Sequence, residues 1–235
     1  MSAPRVVSLV PSATESLVGL GVAPVACTRF CALTGVPTVG GTKNPDIAAV
    51  VALGPDLVVV NDEENRAEDA GALRAAGLTL HEMSPRSVAD VGPAVVALAR
   101  ATEAIAPPPF TEWEEWTAST RHAPRATAFV AIWRRPWMTL SAATYGASLL
   151  EHIGVVDVFA GAAERYPEVA LDDVSALAPD LVVLPDEPYA FSDRHVPEVQ
   201  RALPAARVAL VDGRDLFWWG LRTPAAAARL ARGIG

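Results

Sequence analysis

Pro55-Asp56-Leu57-Val58-Val59-Val60-Asn61-Asp62-Glu63 recurs, 124 residues further on, as Pro179-Asp180-Leu181-Val182-Val183-Leu184-Pro185-Asp186-Glu187. A four-residue apolar run bounded by turn formers reads as a strand buried on both faces, the habit of parallel sheets. The approach to each run is also alike. Asn44-Pro45-Asp46-Ile47 leads through Ala52-Leu53-Gly54 to the first, and Tyr166-Pro167-Glu168-Val169 through Ala176-Leu177-Ala178 to the second. Two copies are too few for a solenoid. They predict two similar α/β lobes.

The stretch between the copies predicts how the lobes are joined. Residues 87–125 open with Ser87-Val88-Ala89-Asp90, a helix-start pattern. Val88, Val91, Val95, Leu98, Thr102 and Ile105 follow at steps of three and four, one apolar stripe along a helix. Pro93 is expected to kink its first turns, and Pro107-Pro108-Pro109 to end it. A second short helix is expected from Pro109 to Ser119, with Phe110, Trp113 and Trp116 on one side. The expected division is an N-terminal lobe over 1–86, a linking helical segment over 87–124 and a C-terminal lobe over 125–235.

Strands are expected over 5–10, 25–28, 56–60 and 78–82, with helices after Pro11 and over 45–53 and 67–76. The second half repeats that outline, with strands over 126–133, 155–159, 180–184 and 207–211. The fold class is therefore α/β: two Rossmann-like lobes with mostly parallel sheets, tied by a helical backbone segment. Ser12-x-x-Glu15 reads as a capping box whose helix start, at a strand's C-terminal end, faces a ligand crevice. The loop from Arg29 to Gly41 is long enough to be functional.

Composition excludes several classes. The net charge of −8 argues against nucleic acid, whose phosphates need a basic partner. No run is long enough to span a bilayer. Met1-Ser2-Ala3-Pro4-Arg5 enters the first strand with no apolar signal core, so the chain as written is expected in the cytoplasm, or outside it if a signal precedes. The protein is expected to be a monomer. The two cysteines, Cys27 and Cys31, read as reduced thiols, with Cys31 as a ligand the lesser reading. His81, His122, His152 and His195 lack ligand spacing and read as surface or cap residues, so no metal site is expected. The motifs of P-loops, dinucleotide-binding folds, serine hydrolases and zincins are missing, so no catalytic residue is nominated.

A resemblance adds to this reading. Val7-Ser8-Leu9-Val10-Pro11-Ser12-x-Thr14-Glu15, Gly40-Gly41-Thr42-Lys43-Asn44-Pro45-Asp46 and Glu63-Glu64-Asn65-Arg66 resemble the helical-backbone (class III) periplasmic substrate-binding proteins of the cobalamin and iron-siderophore type. So do Trp133-Arg134-x-Pro136, Glu164-Arg165-Tyr166-Pro167-Glu168, Glu187-Pro188-Tyr189 and Val211-Asp212-Gly213. The resemblance covers nearly the whole chain. It implies two lobes tied by one long helix, a ligand held in the cleft between them, and docking on the permease of an ABC transporter. The ligand implied is a metal chelate (a corrinoid, haem or ferric siderophore), with no built-in cofactor. Other readings are a cytosolic sensor or store for such a ligand, or a two-lobed α/β enzyme acting on a related one.

Ligand contacts are expected from Ser12, Arg29, Phe30, Trp133, Arg134, Trp137, Tyr145, Trp218 and Trp219. Aromatic faces suit a large, flat, partly apolar ligand. Arginines, with Arg135 and Arg222 as further candidates, suit an anionic one. Glu63 and Glu187, paired by the repeat, are the expected permease-docking acids, with Glu64 and Glu68 as competitors in the first lobe.

Overall fold

The computed structural model describes residues 4–234. By contact, the chain divides into two compact units. The first holds residues 1–85, 90–113 and 219–221; the second holds 86–89, 114–218 and 222–235.

In the first unit the elements alternate strictly: β1 (Val6–Ser8), α1 (Pro11–Gly19), β2 (Ala26–Cys27), α2 (Ile47–Ala52), β3 (Leu57–Val60), α3 (Ala67–Ala75) and β4 (Leu80–Glu82). The four strands are parallel in the order β2-β1-β3-β4. The valines of β1 and β3 are all buried, as continuous apolar runs demand. Val7, Val58 and Val60 meet Val50 of α2 and Leu73 of α3 in one core.

α4 (Val88–Ala101) starts in the second unit and passes into the first, carrying Pro93 inside it. Val88, Val91, Val95 and Leu98 are buried as the stripe predicts. Thr102 closes the helix by donating its hydroxyl to the Leu98 carbonyl, 2.8 Å away. Ile105 departs from the stripe at 89% exposed. Glu103 adopts φ +56°, so the chain has already left the helix and Ile105 is no longer on its face. The expected second helix is a 3-10 turn, Phe110–Glu112, followed by α5 (Trp113–Thr120). Gly92 makes room here: a Cβ on it would stand 2.1 Å from Trp113 Cγ.

The second unit contains β5 (Ala126–Val130), β6 (Trp137–Met138), α6 (Tyr145–His152), β7 (Val155–Asp157), β8 (Glu168–Val169), α7 (Leu171–Ala176), β9 (Leu181–Pro185), α8 (Val196–Ala202), β10 (Arg207–Val211), α9 (Gly213–Phe217) and α10 (Thr223–Ile234). Its main sheet is again four parallel strands, β10-β9-β5-β7. The expected α/β class is thus observed. The antiparallel ribbon of β6 and β8 has no counterpart in the expectation.

Two local readings are corrected. α1 is capped by Val10 without a side-chain bond, so Ser12 sits at the second helical position and the expected capping box does not form around it. Pro11 is the cause: with φ preset and no N–H to leave unpaired, it takes the first helical position. His152 is buried rather than superficial. Its ring stacks on Trp116 at 5.2 Å and its Nε2 lies 2.9 Å from Thr120 Oγ1. His195 does act as a cap, its Nδ1 accepting the Ser192 N–H at 3.1 Å. Burial, reinforced by nearby cations, holds both rings below the usual histidine range.

Candidate functional site

In the second unit the chain after β5 turns back sharply. The Ile132 N–H donates to the Met138 carbonyl at 2.9 Å, and the Met138 N–H to the Trp133 carbonyl at 3.2 Å. The turn so closed lifts Trp133 and Arg134 beyond the C-terminal sheet end, where ligands meet parallel α/β sheets. Trp133 is 43% exposed. Its edge meets the Tyr189 ring at 5.5 Å and 78°. Tyr189 continues the group to Phe191 at 4.6 Å, and both rings pack on His195.

Arg134 lies in the same group. Its Nη2 is 2.6 Å from Glu198 Oε2, and a side-chain hydrogen bond joins it to Tyr189. Those bonds, Glu198's first, raise its already high pKa, so the guanidinium is charged throughout. Its Nε is buried and has no partner among the described residues. The group therefore offers an exposed indole face beside a fixed cation, able to stack an apolar plate and hold an anionic edge.

The other nominated aromatics have different surroundings. Trp137 is half-buried, stacked on Phe191 at 5.9 Å and 6°, with Phe129 against its edge. Tyr145 is buried at 6% exposure, its hydroxyl 2.9 Å from Thr223 Oγ1, inside the unit rather than on its crest. It follows the capping residue Thr144, so it opens α6 against α10. Burial raises its pKa. Trp218 donates from Nε1 to Glu187 Oε2 at 3.2 Å and lies under Arg214 and Arg222. Trp219 is buried at 5% and belongs to the first unit. Arg222 is engaged with Asp215 at 3.2 Å, and Arg229 grips the same carboxylate at 2.6 Å. Arg229 above all holds Asp215 below the usual carboxylate range.

Glu187 is held in place. Its Oε1 is 3.3 Å from Arg214 Nε, and its backbone lies against Gly213, where a Cβ would stand 2.6 Å from Glu187 N. Gly213 N–H in turn donates to Asp186 Oδ1 at 2.7 Å.

The first unit builds its crest differently. Asn61 Oδ1 accepts the Glu63 and Glu64 N–H groups at 2.7 and 3.0 Å, and Asn61 Nδ2 donates to the Met83 carbonyl. Asn65 Oδ1 accepts the Asn61 N–H at 2.8 Å, while its Nδ2 donates to the carbonyls of Leu9 and Thr42. This network sets the turn carrying Glu63, whose carbonyl accepts from Lys43 Nζ. Arg29 and Phe30 stand exposed nearby in sequence to Gly41, with the guanidinium 4.9 Å over the ring. A Cβ at Gly41 would meet both at 3.1 Å. Ser12 is buried, and its Oγ has no partner among the described residues.

Sequence reasoning missed Asn61, Phe191 and Glu198. Asn61, Asn65 and Tyr189 stood in quoted segments, the repeat and the Glu63-Glu64-Asn65-Arg66 and Glu187-Pro188-Tyr189 motifs, without being nominated, and Phe191 and Glu198 carried no signal. No group of three or more His, Cys, Asp or Glu poised for a metal exists among the described residues. No helix there is long and apolar enough to cross a membrane.

No family model matches the chain. Among known proteins it is similar to the vitamin B12-binding protein of Vibrio vulnificus, 24% identical over 234 residues, covering 94% of this chain and 85% of the relative. It is also similar to that of Salmonella choleraesuis, 21% identical over 193 residues, covering 78% and 73%. Among solved structures, the periplasmic vitamin B12-binding protein BtuF of Vibrio cholerae superposes with a TM-score of 0.79 at 20% identity, covering 99% of this chain and 96% of that one. The periplasmic haem-binding protein HutB of Vibrio cholerae gives 0.79 at 17% identity, covering 98% of each. The fold is that of these periplasmic binding proteins, and the likeness spans both units. The resemblance to helical-backbone receptors read from the sequence is thereby borne out.

Proposed function

We propose that this protein is a substrate-binding receptor for a flat metal chelate, a corrinoid, haem or ferric siderophore, delivered to the permease of an ABC transporter outside the cytoplasm. The observation that carries the reading is the exposed Trp133 face beside Arg134 and Tyr189, a binding surface at a strand-end crest. The vitamin B12- and haem-binding relatives support the ligand class. Arg29 and Phe30 are the first unit's proposed contacts, and Ser12, buried with an unpartnered Oγ, is a further candidate. Trp137 supports the Trp133 group from behind through Phe191, while Tyr145, Trp218 and Trp219 act as packing residues elsewhere.

The test is titration with cyanocobalamin, haemin and a ferric catecholate, read by tryptophan fluorescence and thermal shift. One of the three should quench and stabilise at micromolar concentration and be recovered unchanged. No binding by any, or chemical conversion of the bound compound, would overturn the reading.

A further inference from the structure

The two cysteines flank Arg29 and Phe30 at the end of β2, and the receptor reading gives neither thiol a role. Cys27 is the last residue of that strand and wholly buried. The Cys31 N–H donates to the Thr28 carbonyl at 3.1 Å, a tight turn that folds Cys31 back over the strand end at 8% exposure. Cys31 Sγ lies 3.1 Å from Thr14 Oγ1 and 3.3 Å from Thr28 Oγ1. Thr14 Oγ1 is 2.8 Å from Ser8 Oγ, and Ser8 is the register partner of Cys27 across β1 and β2. Both thiols are free and buried, and the Ser8–Thr14–Cys31 chain of contacts brings Cys31 Sγ to the side of the sheet edge where Cys27 lies. Two reduced cysteines four residues apart beside the hydroxyls of Ser8, Thr14 and Thr28, and outside any metal-ligand cluster among the described residues, match a dithiol rather than a hard-metal site.

We propose that Cys27 and Cys31 form a dithiol–disulfide couple, oxidised in the folded protein by small disulfides and closing a covalent ring around Arg29 and Phe30. Cys31 is the more accessible sulfur and reacts first. Its thiolate attacks the small disulfide RSSR, forming Cys31–S–S–R and expelling one RS⁻, which takes up the proton Cys31 released. Thr14 and Thr28 stand within hydrogen-bond reach of Cys31 Sγ, Thr14 from the first turn of α1. Burial, and then the neighbouring Cys31 charge, push the Cys27 thiol up to about 12. Once Cys31 is a neutral mixed disulfide that charge is gone, and Cys27 becomes easier to ionise. It attacks Cys31 Sγ, the second RS⁻ leaves with the Cys27 proton, and RSSR has been reduced to two RSH. The closed ring is short, so oxidation fixes the turn locally and adds little global stability.

The test is incubation of the native protein with oxidised glutathione, followed by intact mass and thiol titration. Both thiols should vanish together, with a mass loss of two hydrogens that dithiothreitol reverses. Cys27→Ser should stop at one glutathione on Cys31, and Cys31→Ser should stay unmodified. Wild-type protein that keeps a glutathione adduct, or reacts only in urea, would overturn the proposal. Should a serine variant fail to fold, the wild-type mass change still decides. The readout needs no ligand, so its failure is separate from failure of the receptor reading.

Discussion

The two units share a frame and differ at the crest. In both, four parallel strands with buried apolar runs end in turns that follow the repeated Pro-Asp-(apolar)4 segments. Above the first sheet the turns are held by amides: Asn61 and Asn65 together satisfy six backbone groups. Above the second they are held by rings and ion pairs: Trp137 on Phe191, Phe191 and Tyr189 on His195, Arg134 on Glu198. The difference teaches where a duplicated fold is free to diverge. Sheet interiors must stay apolar to be buried, whereas a crest need only satisfy its own backbone, by whichever chemistry the ligand favours.

The largest expected effects test that contrast directly. Phe191→Ala removes a ring 3% exposed from the second unit's core and should cost about 3–5 kcal/mol. Asn65→Ala strands an N–H and two carbonyls and should cost about 2–4 kcal/mol. Urea denaturation measures both. A cost for Asn65→Ala below about 1 kcal/mol would show that the amide network decorates the first crest rather than holding it.

Next in size is a pH effect confined to the second unit. Asp157 ends β7 at 4% exposed, and burial pushes its carboxyl up to about 7 despite bonds from Phe159 N–H and Thr139. Below the unfolded carboxyl's range both states hold the proton, and Asp157 adds no pH dependence. From there to about 7 only the folded state holds it, so wild-type stability falls as pH rises and then levels off. The full drop is on the order of 2–4 kcal/mol. Asp157→Asn lacks this slope. Its melting temperature minus that of wild type should climb between pH 4 and 7. A difference flat with pH would mean the carboxyl is ionised in the fold.

The frame was legible in the sequence because burial on two faces leaves an unbroken apolar run, and those runs repeat. The stripe of α4 was legible through Thr102, because its apolar period tracks the buried face. Ile105 misled because period alone does not see the backbone reversal at Glu103. The crest was only partly legible. Tyr145 and Trp133 are both aromatics on loops in sequence terms, yet Thr144 caps a helix that turns Tyr145 inward while the Ile132–Met138 bonds lift Trp133 outward. Asn61 and Asn65 look like solvated loop residues. They are buried because neighbouring backbone groups saturate both amides, which residue identity cannot announce.

Trp133 and Trp137, four residues apart, sharpen the comparison within one crest. Trp133→Ala should leave the melting temperature nearly unchanged and weaken ligand binding by about 1–3 kcal/mol. Trp137→Ala loses its stack on Phe191 and should show the reverse, a lower melting temperature with a smaller change in affinity. If the two variants behave alike, exposure is not what separates contact from support at this site.

The smallest expected effect on the protein itself concerns the two acids the repeat pairs. Glu187 is fixed by Arg214 and Trp218, while Glu63 sits on the turn that Asn61 ties down. The Arg214 pair is nearly half exposed, so Glu187→Ala should cost no more than about 1 kcal/mol. Both acids follow the C-terminal end of a parallel strand, β3 in one unit and β9 in the other, the position from which a rim meets a partner. Part-exposed rim charges of this kind govern encounter rate and salt dependence more than ligand affinity. Glu63→Ala combined with Glu187→Ala should therefore keep ligand affinity within about twofold while permease-dependent uptake in proteoliposomes is lost. Arg214→Ala, which releases Glu187 from its pair, should alter the salt dependence of uptake and leave ligand binding alone. Uptake that survives the double substitution at wild-type salt dependence would reduce the pairing of these acids to a relic of duplication.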